Sequence, residues 1–568
     1  MYVSSVSSSD NVVTVHCLKP ARKKNFRVLL LASLMLLFSV VSEIFNPAVA
    51  NVAHAAMNDE GDNAILSYKG DHYPTGQSAH ETALTRGNVN ANQFGKRVTY
   101  PVDGQVYAQP LFMPNLTING AAHNVVFVVT EHDSIYAFDA DQTTPAQPLW
   151  YNNFLINGAT TVPATDIYSD DIVPDIGITG TPVIDRQTNT MYFVTYTKEN
   201  GNLVYRLHAV DITTGKDKSG SPIVIQGSVP GSGAGSANGN IAFDARYERQ
   251  RAGLLLANGQ VYVAFGSFTD HGPYHGWIMS YNNQLQQTAI YNDTSDGIGA
   301  GLWSNLASDN DGNIYAVSGN GDFNLNTGGS SAGDSFIKLS PQLKLLDYFA
   351  PFNQSCMAAD DTNIDLGSSG PLVVPGTNRI IGVGKEGRVY VLDNSNMGKY
   401  TQDPQLNCSS DEHARTDIDH VVQELPPSTA GVFTNPAYVG AYFGTPAYWN
   451  HTIFFAGTKD HIKAFSFNNG VLSTTPTSQS SETLDWPGGN PTISSVGDDP
   501  NTGILWVIDP GSVLRAYNAS DLSKELYNSN ANANRDALDS FVKFSVPTVA
   551  NGRVFVGTKT SLTIYGLL

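Results

Sequence analysis

The sequence predicts an all-β fold made by radial repetition of short antiparallel sheets, and three observations predict it. A β-hairpin signature recurs eight times along the 568 residues, most plainly as the strand Val125 to Val129, the charged turn Glu131-His132-Asp133 and the strand Ser134 to Asp139. Six of the eight units open on an apolar strand preceded by a small or polar residue and a proline: Pro110, Pro182, Pro371, Pro446, Pro491 and Pro547. Proline suits the start of a strand, where no ladder N–H is required. Tight turns follow, as Asn258-Gly259, Asp311-Gly312 and Asn551-Gly552, residue pairs that tolerate the positive φ of hairpin turns. Repeated hairpins at this length specify a radial or solenoid architecture. The expectation is an eight-bladed β-propeller of four-stranded antiparallel blades, with seven blades as the alternative because the fourth unit is the least regular.

Taken in order, residues 1–50 read as a signal peptide or membrane anchor. Lys19, Arg22, Lys23, Lys24 and Arg27 flank an apolar run from Val28 to Val41. About fourteen residues of helix span roughly 21 Å, short of the ~30 Å of a bilayer core. Ala48-Val49-Ala50 then supplies a small-x-small cleavage pattern. Cleavage there leaves a secreted or cell-envelope protein; without cleavage the segment is the one contact with a membrane. Both readings place the body outside the cytoplasm. Residues 51–92 are polar and read as a mobile N-terminal extension, and residues 93–568 as a single propeller domain. The last unit stops at Leu568 one strand short. A strand near Phe94 to Val102 is expected to complete that blade and close the ring, which leaves no open edge.

Charge excludes one class of function. Without residues 1–50 the chain holds 27 basic and 49 acidic residues, a formal charge of −22. Such a surface repels nucleic acid at long range. Export also leaves two cysteines, Cys356 and Cys408, a number that suits one disulfide in an oxidising compartment. Closing that loop would contribute about 4 kcal/mol in the chain-entropy model. Two free thiols are the other reading.

In a propeller, the turns between second and third strands and the loops leading into first strands converge on one face of the central channel. That face is expected to carry the cofactor- or ligand-binding candidates Glu131, Asp133, Asp171, Asp175, Trp303, Asn320, Lys385 and Lys459. Carboxylate and amide oxygens suit a calcium ion, lysines suit an acidic ligand, and the indole offers a stacking surface. The competing reading is that these are solvated turn residues of an acidic protein. Asp270, His271 and His275 form the densest polar loop and are the candidate zinc or copper ligands, although such a site needs a further fixed donor. Gly231 to Ser236 is Gly-rich without a βαβ unit around it and reads as an inter-blade insertion rather than a dinucleotide loop.

Three segments carry a family resemblance: Tyr136-Ala137-Phe138-Asp139, Leu207 to Gly215, and Val389-Tyr390-Val391-Leu392-Asp393. They resemble the repeats of the quinoprotein alcohol dehydrogenase-like propellers, which are named for pyrroloquinoline quinone (PQQ). Val106 to Pro110, Thr130 to Ser134, Gly272 to Trp277 and Ser318 to Asp322 resemble, more narrowly, exported bacterial PQQ-like propellers without an assigned activity. The wider resemblance implies PQQ and calcium as cofactors and an oxidoreductase acting on an alcohol or sugar. The sequence departs from it in two places: Ser219 stands where the blade-docking pattern has tryptophan, and the adjacent cysteine pair that many of these dehydrogenases carry is absent. The expected function is therefore a binding or scaffold module whose partner is a protein, a glycan or a small molecule, with the quinone dehydrogenase as the alternative.

Overall fold

The computed structural model describes residues 62–156, 158–358, 363–408, 418–426 and 435–568. The expected signal or anchor over residues 1–50 lies outside the described residues. Within them no helix is long and apolar enough to cross a membrane.

The repeat unit is a meander. In the first sheet Leu111–Ile118, Ala121–Val129, Ser134–Asp139 and Trp150–Asn153 pair in sequence order. Asn119 and Gly120, between the first two strands, both take positive φ (51° and 84°), the mirror-image turn whose twist matches its flanking strands. Asn258-Gly259 and Asn551-Gly552 do the same. Further meanders open on Val183–Asp185, Leu255–Ala257, Ala307–Ser308, Leu372–Val373, Ala447–Trp449, Thr492–Ser494 and Thr548–Ala550. The last of these has three strands of its own, ending on Ser561–Leu567. Its fourth strand is Phe94–Pro101, from the other end of the chain, which pairs antiparallel to it from Phe94 opposite Leu567 to Pro101 opposite Ser561.

Alternation along the strands buries side chains on both faces of each sheet, so the core is a series of layers between sheets rather than one central mass. One layer packs Leu111 and Phe127 of the first sheet on Met191 and Phe193 of the second; the next packs Tyr192 and Leu207 on Phe265 and Trp277. Successive layers continue to the seventh and eighth sheets, where Trp506 meets Val554 and Tyr565. A further layer packs Phe555 and Ile564 of the eighth sheet on Phe112, Val126 and Phe138 of the first.

From residue 62 on, the segment expected as a polar lead-in lies against the sheets. Its apolar residues account for this: Ile65 and Leu66 are buried, and Ile65 exchanges backbone hydrogen bonds with Phe112. Gln77–Ser78 then pairs parallel to Ile493 and Ser494. Between these anchors Lys69 donates from Nζ to the carbonyls of Thr445 (2.6 Å) and Pro491 (2.7 Å), and burial lowers its pKa to about 7. Elsewhere Cys356 and Cys408 form a disulfide with their Cα atoms 5.2 Å apart. Gly231 to Ser236 lies in the loop of a small hairpin, Ser228–Pro230 paired with Asn240–Ala242, and is fastened by backbone bonds from Ser232 and Ala234 to Ser295 and Gly297.

Candidate functional site

The site is built from one position of the repeat. Four residues before the first strand of each sheet stand Tyr107, Thr179, Arg251, Trp303, Ser368, Phe443, Gly488 and Phe544. All except Gly488 line one of two adjoining cavities, of about 310 and 50 Å³, which share Arg251, Trp303, Phe443 and Phe544. Equivalent positions from different sheets thus meet in one place.

Trp303 lies in a bed of glycines. A Cβ on Gly266, Gly301 or Gly319 would come within 2.7, 2.7 and 2.1 Å of its indole, so the ring's position depends on three side chains being absent. Its Nε1–H donates to the Ser267 carbonyl at 3.0 Å, and its own carbonyl accepts from Arg251 Nε at 2.9 Å. The Arg251 guanidinium stacks 4.6 Å from the centre of the Phe544 ring. Burial, and then the neighbouring Arg249, lower its pKa to about 10, so it stays a cation at neutral pH.

Two of the cavity's carboxylates, Asp171 and Asp365, are matched by cations. Asp171 is clamped by Arg249 and Lys543; burial would raise its pKa, but the two cations together hold it below the usual carboxylate range. Lys385 pairs with Asp365 at 2.7 Å. Asp365 is still raised, because burial outweighs that lysine. Asp270, on the exposed turn after Ser267, accepts from the Ser267 hydroxyl at 2.9 Å. Among the described residues no carboxylate pairs with Arg251; Arg249, in the same cavity, spends one terminal nitrogen on Asp171 and has no partner for Nε and Nη2.

Of the residues singled out in the sequence, Asp171, Trp303, Asn320 and Lys385 come together on this wall, with Asp270 beside them. Glu131, Asp133 and Asp175 are turned away from it into the contact between the first and second sheets. Glu131 accepts from the Gly177 amide (2.8 Å) and the Thr179 hydroxyl (3.0 Å); burial raises its pKa to about 7. Asp133 accepts from the Tyr196 amide and is raised well above its usual value by burial. Asp175 pairs with His132 at 2.9 Å. Lys459 is exposed and lines neither cavity.

The proposed zinc or copper ligands are not brought together. His275 is buried with Nδ1 on the Thr294 hydroxyl (2.8 Å) and Nε2 on the Ala234 carbonyl (2.9 Å), while Asp270 and His271 are exposed. Among the described residues no group of three or more His, Cys, Asp or Glu is placed to hold a metal ion.

Arg249, Arg251, Phe443, Trp486 and Phe544 also line the larger cavity and were not singled out in the sequence. The available signal was positional. Phe443 and Phe544 stand three residues before marker prolines, the same offset as Tyr107, and Arg251 and Trp303 occupy that offset in the two units that lack the proline.

No protein-family model and no curated protein matches this sequence. Solved structures do match by fold. The quinohemoprotein alcohol dehydrogenase of Comamonas testosteroni superposes with a TM-score of 0.58 at 12% identity, over 89% of this chain and 80% of that one. A europium-containing methanol dehydrogenase gives 0.57 at 12% identity, over 90% and 99%. The quinohemoprotein alcohol dehydrogenase ADHIIG of Pseudomonas putida HK5 gives 0.55 at 11%, over 89% and 80%. Identities this low carry the fold and nothing more about the chemistry.

Proposed function

We propose that this chain, which has the β-propeller fold of the quinoprotein dehydrogenases, is an extracytoplasmic binding module whose axial cavity holds a small organic anion. The observation that carries the reading is Arg251. Among the described residues no carboxylate pairs with its terminal nitrogens, its guanidinium lies over the Phe544 ring, and its Nε is spent on the Trp303 carbonyl. A planar fork of that kind matches a carboxylate, and Trp303, Phe443 and Phe544 supply apolar surface for the rest of the ligand. The size, about 310 Å³, suits a ligand of one or two rings.

The architecture we infer is a closed ring of eight blades. Its support is the chain of core layers, each joining neighbouring sheets and one joining the eighth to the first, together with the pairing of Phe94–Pro101 on Ser561–Leu567. Residues 1–50 serve as the export signal or anchor on this reading.

The alternative, a PQQ- and calcium-dependent dehydrogenase, has Trp303 on its glycine bed in its favour. The donor set does not fit calcium: Asp171 is shared by two cations and Asp365 by one, which leaves the Asp270 carboxylate and the Asn320 amide as oxygen donors, fewer than the six to eight oxygens that calcium takes. Calorimetry of the exported body with benzoate, and absorbance spectroscopy with PQQ and Ca²⁺ alongside dye-linked alcohol oxidation, separate the two readings. We expect saturable benzoate binding that Arg251→Met weakens by roughly tenfold, the scale of one charge-assisted contact. Stoichiometric PQQ uptake with turnover would overturn the binding reading in favour of the enzyme.

A further inference from the structure

A second cavity, of about 400 Å³, lies under the hairpin Ser228–Pro230 and Asn240–Ala242 and shares no lining residue with the axial site. Its walls are apolar and aromatic, with Tyr205, Ile225, Ile241, Phe243 and Tyr247 prominent. Two carboxylates, Asp244 and Glu248, line it, and no lysine or arginine does.

Glu248 decides what such a cavity would take. The residue is 2% exposed. Its Oε1 accepts from the His275 amide and from Trp277 Nε1–H, each at 3.2 Å, while Oε2 is buried with no partner. An unsatisfied buried acceptor costs about 1–3 kcal/mol, and a ligand that supplies a donor recovers it. Among the described residues no side chain or backbone group bonds to Oε2. His275 has both ring nitrogens engaged, with Nε2 on the Ala234 carbonyl, and burial, with Asp293 beside it, raises the Glu248 carboxyl well above the usual carboxylate range, a shift that a bound cation would oppose. Three aromatic rings line the same space, and ring faces attract a cation. Phe243 is itself fixed by T-shaped contacts to Phe265 (4.7 Å) and Trp277 (6.0 Å).

We propose that this cavity is a second binding site, for a primary organic ammonium ion with an apolar or aromatic body. The ammonium donates to Glu248 Oε2, the rings of Tyr205, Phe243 and Tyr247 contact its body and charge, and the fastened hairpin holds the wall in place. The strongly acidic surface of the protein adds long-range attraction for such a ligand. This site is independent of the axial one and of the function proposed for it.

The test is calorimetric titration of the exported body with phenethylammonium, with 2-phenylethanol as the neutral analogue and phenylacetate as the anionic one. The expected result is one saturable phenethylammonium site per chain, at least tenfold weaker binding of the alcohol, and no phenylacetate heat at this site. Glu248→Gln should weaken phenethylammonium at least tenfold and Arg251→Met should leave it unchanged. Should Glu248→Gln fail to fold, Phe243→Leu is the second variant, with a several-fold loss expected. Absence of saturable binding, equal binding of the alcohol, or indifference to both Glu248→Gln and Phe243→Leu overturns the proposal. Loss of binding in Arg251→Met would assign the ligand to the axial cavity and overturn it as well.

Discussion

Glu131 shows how a residue that is easy to notice in a sequence comes to serve the fold. It sits in a charged turn, and the natural expectation is a solvated or ligand-binding carboxylate. The turn is short, however, and the next sheet presses against it. Its carboxyl group is therefore 1% exposed and satisfied on one side by Gly177 and Thr179. Burial raises its pKa from 4.5 to about 7. A folded-state pKa above the unfolded value means that the folded protein binds the extra proton. The stability tied to this group is therefore complete below pH 4.5 and declines as pH rises to about 7. Two and a half units correspond to roughly 3 kcal/mol. Glu131→Gln keeps an acceptor for Gly177 and cannot ionise, so its melting temperature should match the parent at pH 5 and exceed it at pH 8. Equal pH dependence in parent and variant would exclude this account. Asp171, Trp303, Asn320 and Lys385, expected together on one face, do line one cavity, because all four stand in loops outside the strands. Arg251 was not, since an arginine ahead of an apolar strand looks like any surface residue until the repeat is aligned on the strand that follows it.

At the scale of elements, the repeat positions side chains by their offset from the first strand, and the glycines decide which of those side chains fit. Strands, turns and the segment Phe94–Pro101, which pairs with the last strand, were legible because alternation, proline and Asn-Gly pairs act locally. The bed beneath Trp303 was not legible, since Gly266, Gly301 and Gly319 come from different stretches of chain and only the fold makes them neighbours. Gly319 is the closest, with an added Cβ 2.1 Å from the indole. Gly319→Ala must therefore displace Trp303 rather than perturb a strand. Overpacking of this kind costs typically 1–3 kcal/mol, and displacement of the ring also breaks the Trp303 Nε1–H bond to the Ser267 carbonyl and shifts the apolar surface beside Arg251. The variant should melt at a lower temperature and lose benzoate affinity while phenethylammonium affinity is retained. A crystal structure of the variant with Trp303 unmoved would contradict the role assigned to the glycine.

At the scale of the whole molecule, the question is whether the sheets behave as a ring or as a row. In a row of repeats each unit touches only its neighbours, and damage at one end frays that end. In a closed ring the same damage opens a layer that every other sheet depends on for its fixed place. Phe94 is the place to ask. It is fully buried on the strand that joins the two ends of the chain, and its ring meets Tyr527 at 4.9 Å, Trp506 at 5.4 Å and Tyr565 at 6.4 Å. Phe94→Ala should cost about 3–5 kcal/mol. If the ring is closed, that loss lowers the global unfolding free energy, and the slowest-exchanging amides fall together. Those of Phe336–Leu339, in the fourth sheet and far along the chain from the substitution, should lose as much protection as those of Arg553–Gly557 beside it. Hydrogen exchange read by mass spectrometry separates the cases: accelerated exchange confined to Arg553–Gly557 and its partner strands would mean a row of sheets with a fraying end, whatever the pairing of the termini.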